Sequence, residues 1–230
     1  KACLKIGNIN IKQVKCIATS GISYPQIKEK IKKSMQHYFK HSPKIEIFNH
    51  AQSHCAGAFF SSGFKKSISI SIDGSGDKIS SSVELYSKKN RSINHKKIYR
   101  SDYKNSLGSF YTVFTNFLGF KSIEGEYKLM GMAAYGKPTY DLSKIIFFDT
   151  KKGKIVTSKA FQKLFDLKNY STINEPSYAE NFISKKFKIQ RPLSTKKFKK
   201  IHYNLACSVQ FQFTKTYIDL INYFVKKKKI

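Results

Sequence analysis

The 230 residues are 40% hydrophobic and include 14 Tyr and 19 Phe, enough apolar material for a sizeable core and too much for a disordered chain. Lys and Arg total 43 against 14 Asp and Glu, a formal net charge of +29. Arginine occurs only at Arg91, Arg100 and Arg191, and the lysines are spread from end to end. The charge therefore reads as a solvated basic surface and not as a nucleic-acid site, which leans on the planar donors of arginine.

No stretch reaches the roughly 18 apolar residues of a membrane span, and no signal-peptide pattern opens the chain. Cys3, Cys16, Cys55 and Cys207 are scattered without a CxxC pair. That argues against a disulfide framework or a structural zinc site and fits a reducing, cytoplasmic setting.

In chain order, Val14–Thr19 predicts a short apolar strand, and Ile27, Ile31, Met35 and Tyr38 keep helical spacing after Ser23-Tyr24-Pro25. A second strand is expected at Ile45–Phe48 and a second helix from Ala51 to Phe60, closed by Gly63. Strand, helix, strand and helix in this order imply parallel strands with crossovers. From Ser67 the period changes: Ile68, Ile70 and Ile72 alternate with serines, as in a half-buried strand. The segment Asp73-Gly74-Ser75-Gly76-Asp77 is expected to reverse the chain, with Ser81, Val83 and Leu85 returning and Ile98 in a third strand. Leu107–Leu118 predicts a buried aromatic helix ending at Gly119. A hairpin follows at Ile145–Phe148 and Ile155–Val156, then a helix at Phe161–Phe165. Residues 168–200 give only helix and loop. Tyr203–Val225 reads as one long helix packing through Leu205, Ser208, Val209, Gln212, Phe213, Thr216 and Ile218. The expected division is 1–66, an α/β unit carrying the histidines below, and 67–230, a second α/β unit with the hairpin.

Three pieces carry chemistry. His50-Ala51-Gln52-Ser53-His54 is an HxxxH pair where a strand runs into a helix. Residues four apart share a helix face, so both imidazoles can address one transition-metal ion; HxxxH alone is also a common coincidence. Asp73 ends a strand, where a carboxylate suits a metal, and the glycines after it allow a ligand close to the backbone amides. An ordinary Asp-Gly hairpin turn is the plain alternative. The run Glu124–Gly136, with Glu126, Lys128 and Gly131 among small residues, suits a loop that closes over a ligand, or simply a solvated segment.

Together these pieces resemble the carbamoyltransferases that modify nodulation factors and antibiotics such as cephamycins and tobramycin. The family-like strings are His50–Phe59, Ile72–Asp77, Ser106–Tyr111 with Leu118-Gly119-Phe120, Glu126–Gly136 and Ala206–Gln210. The resemblance implies an α/β catalytic domain of the actin-like ATPase (ribonuclease H-like) fold, here partial: the first lobe and the start of the second. It implies a divalent metal, iron, held by His50, His54 and Asp73. Gly74, Ser75, Gly76 and Gly131 would lie against the cofactor, and Glu126 and Lys128 would be catalytic. Carbamoyl phosphate and ATP would give carbamoyl-adenylate, and the carbamoyl group would pass to a hydroxyl of a small-molecule acceptor.

Departures accompany the match. Ala51 stands where the family usually has a further histidine. The opening strand, the second lobe and the adenylate-forming domain fall outside these residues, so the chain is expected to be partial and inactive alone. Two other readings remain open: a metalloprotein that transfers threonylcarbamoyl to tRNA, and an inactive fragment acting as a binding module.

Overall fold

The computed structural model describes residues 1–165, 176–195 and 197–228; of the stretch expected as helix and loop, 168–175 and 196 lie outside them. A short helix α1 (Ala2–Ile6) leads to β1 (Cys16–Ser20), α2 (Ile27–Phe39), β2 (Lys44–Phe48) and α3 (His50–Ser62). β1 and β2 pair in parallel, Cys16 opposite Lys44 through Ser20 opposite Phe48, as the strand–helix–strand pattern requires. Gly63 closes α3 in the left-handed conformation (φ 73°) that glycine adopts without strain.

A three-stranded antiparallel sheet follows, β3 (Lys66–Gly76), β4 (Ile79–Lys89) and β5 (Ser92–Asp102), in the order β3-β4-β5. The expected reversal over residues 73–77 is corrected here. β3 runs through to Gly76, which pairs with Ile79, and a bulge interrupts the register between Ile72 and Gly76. Asp77 and Lys78 alone turn the chain, at φ 53° and 65°. Two positive φ values match the twist that a two-residue hairpin needs.

The half-buried reading of β3 is corrected as well. Ile68, Ile70 and Ile72 pack toward the main core, but Ser69, Ser71, Ser82 and Glu84 are buried too, because α3 lies across that polar face. Small serines let the helix approach, and the Cys55 thiol donates to the Ser69 carbonyl at 3.6 Å.

The remaining elements are α4 (Leu107–Phe117), α5 (Glu126–Ala133), β6 (Ile146–Asp149), β7 (Lys154–Thr157), α6 (Lys159–Gln162), α7 (Pro176–Phe187) and α8 (Lys200–Lys228). β6 and β7 form the expected antiparallel hairpin. Phe110, Phe114 and Phe117 of α4 are fully buried with Ile146, Ile155, Phe161, Leu205 and Val209. Each such side chain contributes about 1.5–3 kcal/mol of burial, so α4 is the central post of the core.

Along α8, Leu205, Ser208, Val209, Gln212 and Thr216 are buried as expected, and the stripe continues through Leu220 and Phe224. Ile218 is exposed. Two residues beyond Thr216, at about 100° per residue, it lies on the opposite side of the helix. Residues 126–133, expected as a loop, are helical: Leu129, Met132 and Ala133 bury against α8. A Cβ on Gly136 would lie 2.1 Å from the Tyr203 carbonyl oxygen, so close packing explains that glycine. No helix among the described residues is long and apolar enough to cross a membrane.

Candidate metal centre and adjoining cavity

α3 begins directly where β2 ends. Asn49 caps it, its side chain accepting the Gln52 N–H at 3.3 Å, so His50 is the first helical residue and His54 follows one turn later. Asp73 approaches from β3. Its Oδ2 lies 2.7 Å from His50 Nε2 and 3.7 Å from His54 Nε2, and the two Nε2 atoms are 3.0 Å apart. The three donor atoms fall within 4.8 Å of one another. His54 is more than half exposed, and its ring points to the group and not into the core.

Gly76 makes this arrangement possible. A Cβ there would lie 2.0 Å from His50 Cδ2 and 2.2 Å from Cγ, so the imidazole occupies the space a side chain would take. His50 Nε2 offers one donor or one acceptor position, yet it faces both Asp73 Oδ2 and His54 Nε2, so hydrogen bonding alone serves only one of them fully. A cation accepted by all three removes that conflict. Two histidines and a carboxylate with open positions suit a divalent transition metal.

α4 closes in beside Asp73. The Ser106 hydroxyl donates to the Asp73 and Gly74 carbonyls at 3.0 and 2.7 Å and also caps α4 by accepting the Ser109 N–H at 2.9 Å. Gly108 permits the approach, since a Cβ on it would lie 2.6 Å from the Gly74 nitrogen. Between β3, α4, α5 and α8 lies a cavity of about 550 Å³ lined by Asp73, Gly74, Gly108, Tyr111, Thr112, Glu126, Tyr127, Met130 and others, a size typical of small-molecule sites. It shares Asp73 with the histidine pair.

The other expected site residues divide. Gly74 and Glu126 line the cavity. Ser75 and Gly76 are part of β3, and the Gly74 N–H is spent on Asp73 Oδ1 at 2.6 Å. Glu126 is fully engaged: Oε1 accepts from the Thr112 hydroxyl (2.9 Å) and the Ile123 N–H (3.0 Å), and Oε2 from the Gly125 N–H (3.2 Å). Lys128 is exposed outside the lining, its ammonium over the rings of Phe120 and Tyr127 at 5.8 and 5.7 Å. Gly131 is exposed, with open space where a Cβ would be.

Two supports for the centre escaped sequence reasoning. Asp77 accepts the His50 N–H at 2.7 Å and two bonds from Ser23. Behind α3, Arg100 donates to Asn49 Oδ1 (3.2 Å) and to Glu84 Oε1 (3.3 Å), while Ser82, Tyr86 and His95 surround the same fully buried Glu84 carboxylate. Burial pushes the Glu84 carboxyl up, but the bonds from Ser82, His95 and Tyr86 prevail and hold it below its ordinary value. Burial, with the Glu84 charge adding to it, raises the Cys55 thiol to about 12, so Cys55 is neither nucleophile nor ligand at neutral pH. Asn49 ahead of the helix was a legible cap signal. Glu84 carried none, since Ser82, Glu84 and Tyr86 read as an ordinary solvent-facing alternation.

Residues 10–230 match the family model described as carbamoyltransferase N-terminus. The chain belongs to the carbamoyltransferase family. Nodulation protein NolNO of Sinorhizobium fredii is 35% identical over 95 residues, covering 41% of this chain and 13% of that protein. Nodulation protein NolO of Bradyrhizobium diazoefficiens is 37% identical over 90 residues, 39% of this chain and 16% of its own length. An uncharacterized protein of Synechocystis is 34% identical over 142 residues, 55% of this carbamoyltransferase-family chain and 22% of that relative. The matched stretches thus span 13% to 22% of the length of these relatives.

Proposed function

We propose that this chain carries the metal-and-acceptor portion of an ATP-dependent O-carbamoyltransferase, on a partial actin-like (ribonuclease H-like) fold divided near residues 66 and 67. The observation that carries the reading is the convergence of His50, His54 and Asp73 in a chain that matches the family over residues 10–230. His50 and His54 would hold a divalent metal through neutral Nε2 atoms, and Asp73 would supply the negative charge. A bound ion of this kind polarises a carbonyl oxygen as a Lewis acid.

The adjoining cavity is the place proposed for the acceptor. Tyr111, Tyr127, Thr112 and Gln210 line it, and the Thr112 oxygen, whose proton goes to Glu126, can still accept from a hydroxyl-bearing molecule held beside Asp73. In the transfer proposed, the acceptor oxygen bonds to the carbamoyl carbon as the bond to the adenylate oxygen breaks. AMP and the hydroxyl proton leave. ATP and carbamoyl phosphate enter as substrates through the family, and the adenylate is made by a domain outside this chain. Glu126 shapes the cavity wall, and the exposed ammonium of Lys128 is the point charge proposed to act on the transferred group.

The test uses the full-length protein with ATP, carbamoyl phosphate, iron(II) and a sugar acceptor, following pyrophosphate release and carbamoylated product. His50→Ala and His54→Ala should abolish product formation. Undiminished transfer in either variant would refute the assignment.

A further inference from the structure

Asp77 has no part in the donor set or the cavity lining, yet it is committed to the site. Oδ1 accepts the Ser23 N–H at 2.8 Å and the Ser23 hydroxyl at 2.7 Å, and Oδ2 accepts the His50 N–H at 2.7 Å. First-turn N–H groups have no partner within their own helix, so a carboxylate here fixes the helix start in place. The same β3–β4 hairpin therefore holds His50 at three points: Asp73 takes the ring nitrogen, Gly76 leaves room for the ring, and Asp77 grips the backbone.

We propose that Asp77 is a positioning residue for the His50 imidazole, locking the first turn of α3 to the hairpin that carries Asp73 and so setting the spacing of the donor atoms. The inference rests on the metal reading above. Asp77 sits in the left-handed region at φ 53°, which asparagine and glycine tolerate. Asp77→Asn keeps one oxygen and turns an amide donor toward another donor. Asp77→Gly removes the acceptor altogether while suiting the turn.

The probe is Co²⁺, titrated into the chain and followed by its visible absorption. The unsubstituted chain should bind. Both Asp77 variants should bind about 10- to 100-fold more weakly, the usual cost of losing a residue that orients a metal ligand, with a shifted absorption band. Ser23→Ala, which removes a hydroxyl bond to Asp77 but leaves the bond to His50, should retain native affinity and spectrum. Native affinity and spectrum in both Asp77 variants would overturn the inference, as would equal weakening in Ser23→Ala. If the unsubstituted chain binds no Co²⁺, the metal reading fails first, and that result is visible before any variant is compared.

Discussion

Gly76→Ala is the most direct perturbation of the centre, because it adds one methyl group where His50 already sits. The new Cβ would lie 2.0 Å from Cδ2 and 2.2 Å from Cγ, against about 3.4 Å for ordinary contact. The ring must therefore retreat by more than about 1 Å or rotate away. Gly76 does not occupy a left-handed backbone conformation, so the effect is steric. His50 is 30% exposed and Asp73 36%, so the ring can escape toward solvent, which holds the overpacking cost near the low end of about 1–3 kcal/mol. The lost His50–Asp73 bond, partly screened by water, adds about 0.5 kcal/mol. Stability should fall by about 1–2 kcal/mol, measured by denaturant unfolding without metal. Metal affinity should fall much further, by about 100-fold or more, because a ligand itself is displaced. Calorimetric titration with iron(II) under anaerobic conditions measures it. Gly74→Ala is the control: a Cβ there meets nothing within 4 Å, and both quantities should stay near native. Unaltered iron affinity in Gly76→Ala would refute the placement of His50 and the centre with it.

Glu84 and Asp77 have carboxyls held below their ordinary values of 4.5 and 3.8. Their stabilisation is complete above those values and is lost as the pH falls through the depressed ones. Thermal unfolding temperature should therefore drop on acidification below about pH 4.5, and less steeply in Asp77→Asn; parallel slopes would contradict the bonding described. In full-length protein, Lys128→Ala should lower carbamoyl transfer at least about tenfold by removing a point charge. An exposed ring contact is worth only about 0.5–1 kcal/mol, so the unfolding temperature should barely move.

Much of the fold was legible because local signals agreed with tertiary context. The parallel β1–β2 unit, the capped end of α3 at Gly63 and the phenylalanine ladder of α4 each follow from periodicity and punctuation in the sequence. The clustering of His50, His54 and Asp73 was legible for the same reason: an HxxxH at a strand-to-helix junction and an acid near a strand end need only be brought together. What escaped was set by distant contacts. Nothing in the alternation of Ser82, Glu84 and Tyr86 announces that α3 will cover that face, and the small residues of 126–136 favour close packing on α8 as much as any loop. The glycines of 73–77 predict a turn, whereas Gly76 leaves space for an imidazole contributed 26 residues earlier by His50.

The helical state of residues 126–133 also changes what Glu126 can do, and Glu126→Gln separates two roles for it. The carboxylate takes three donors, two of them backbone N–H groups of the segment leading into α5. That segment contains Ile123 at φ 71°, a conformation unfavourable for a β-branched residue by about 1–3 kcal/mol. Glu126 is then the clamp that holds a strained, exposed residue at the mouth of the cavity. Glutamine keeps one acceptor oxygen and turns its amide toward at least one N–H, so the clamp loses a partner and the strain has less to oppose it. The expected result is faster proteolytic cleavage within residues 119–125, with the overall unfolding temperature lowered only slightly because the core around α4 is untouched. A catalytic carboxylate would behave differently: transfer in the full-length protein would collapse while cleavage of the segment stayed at the native rate. That second pattern would refute the clamp and return Glu126 to the reaction.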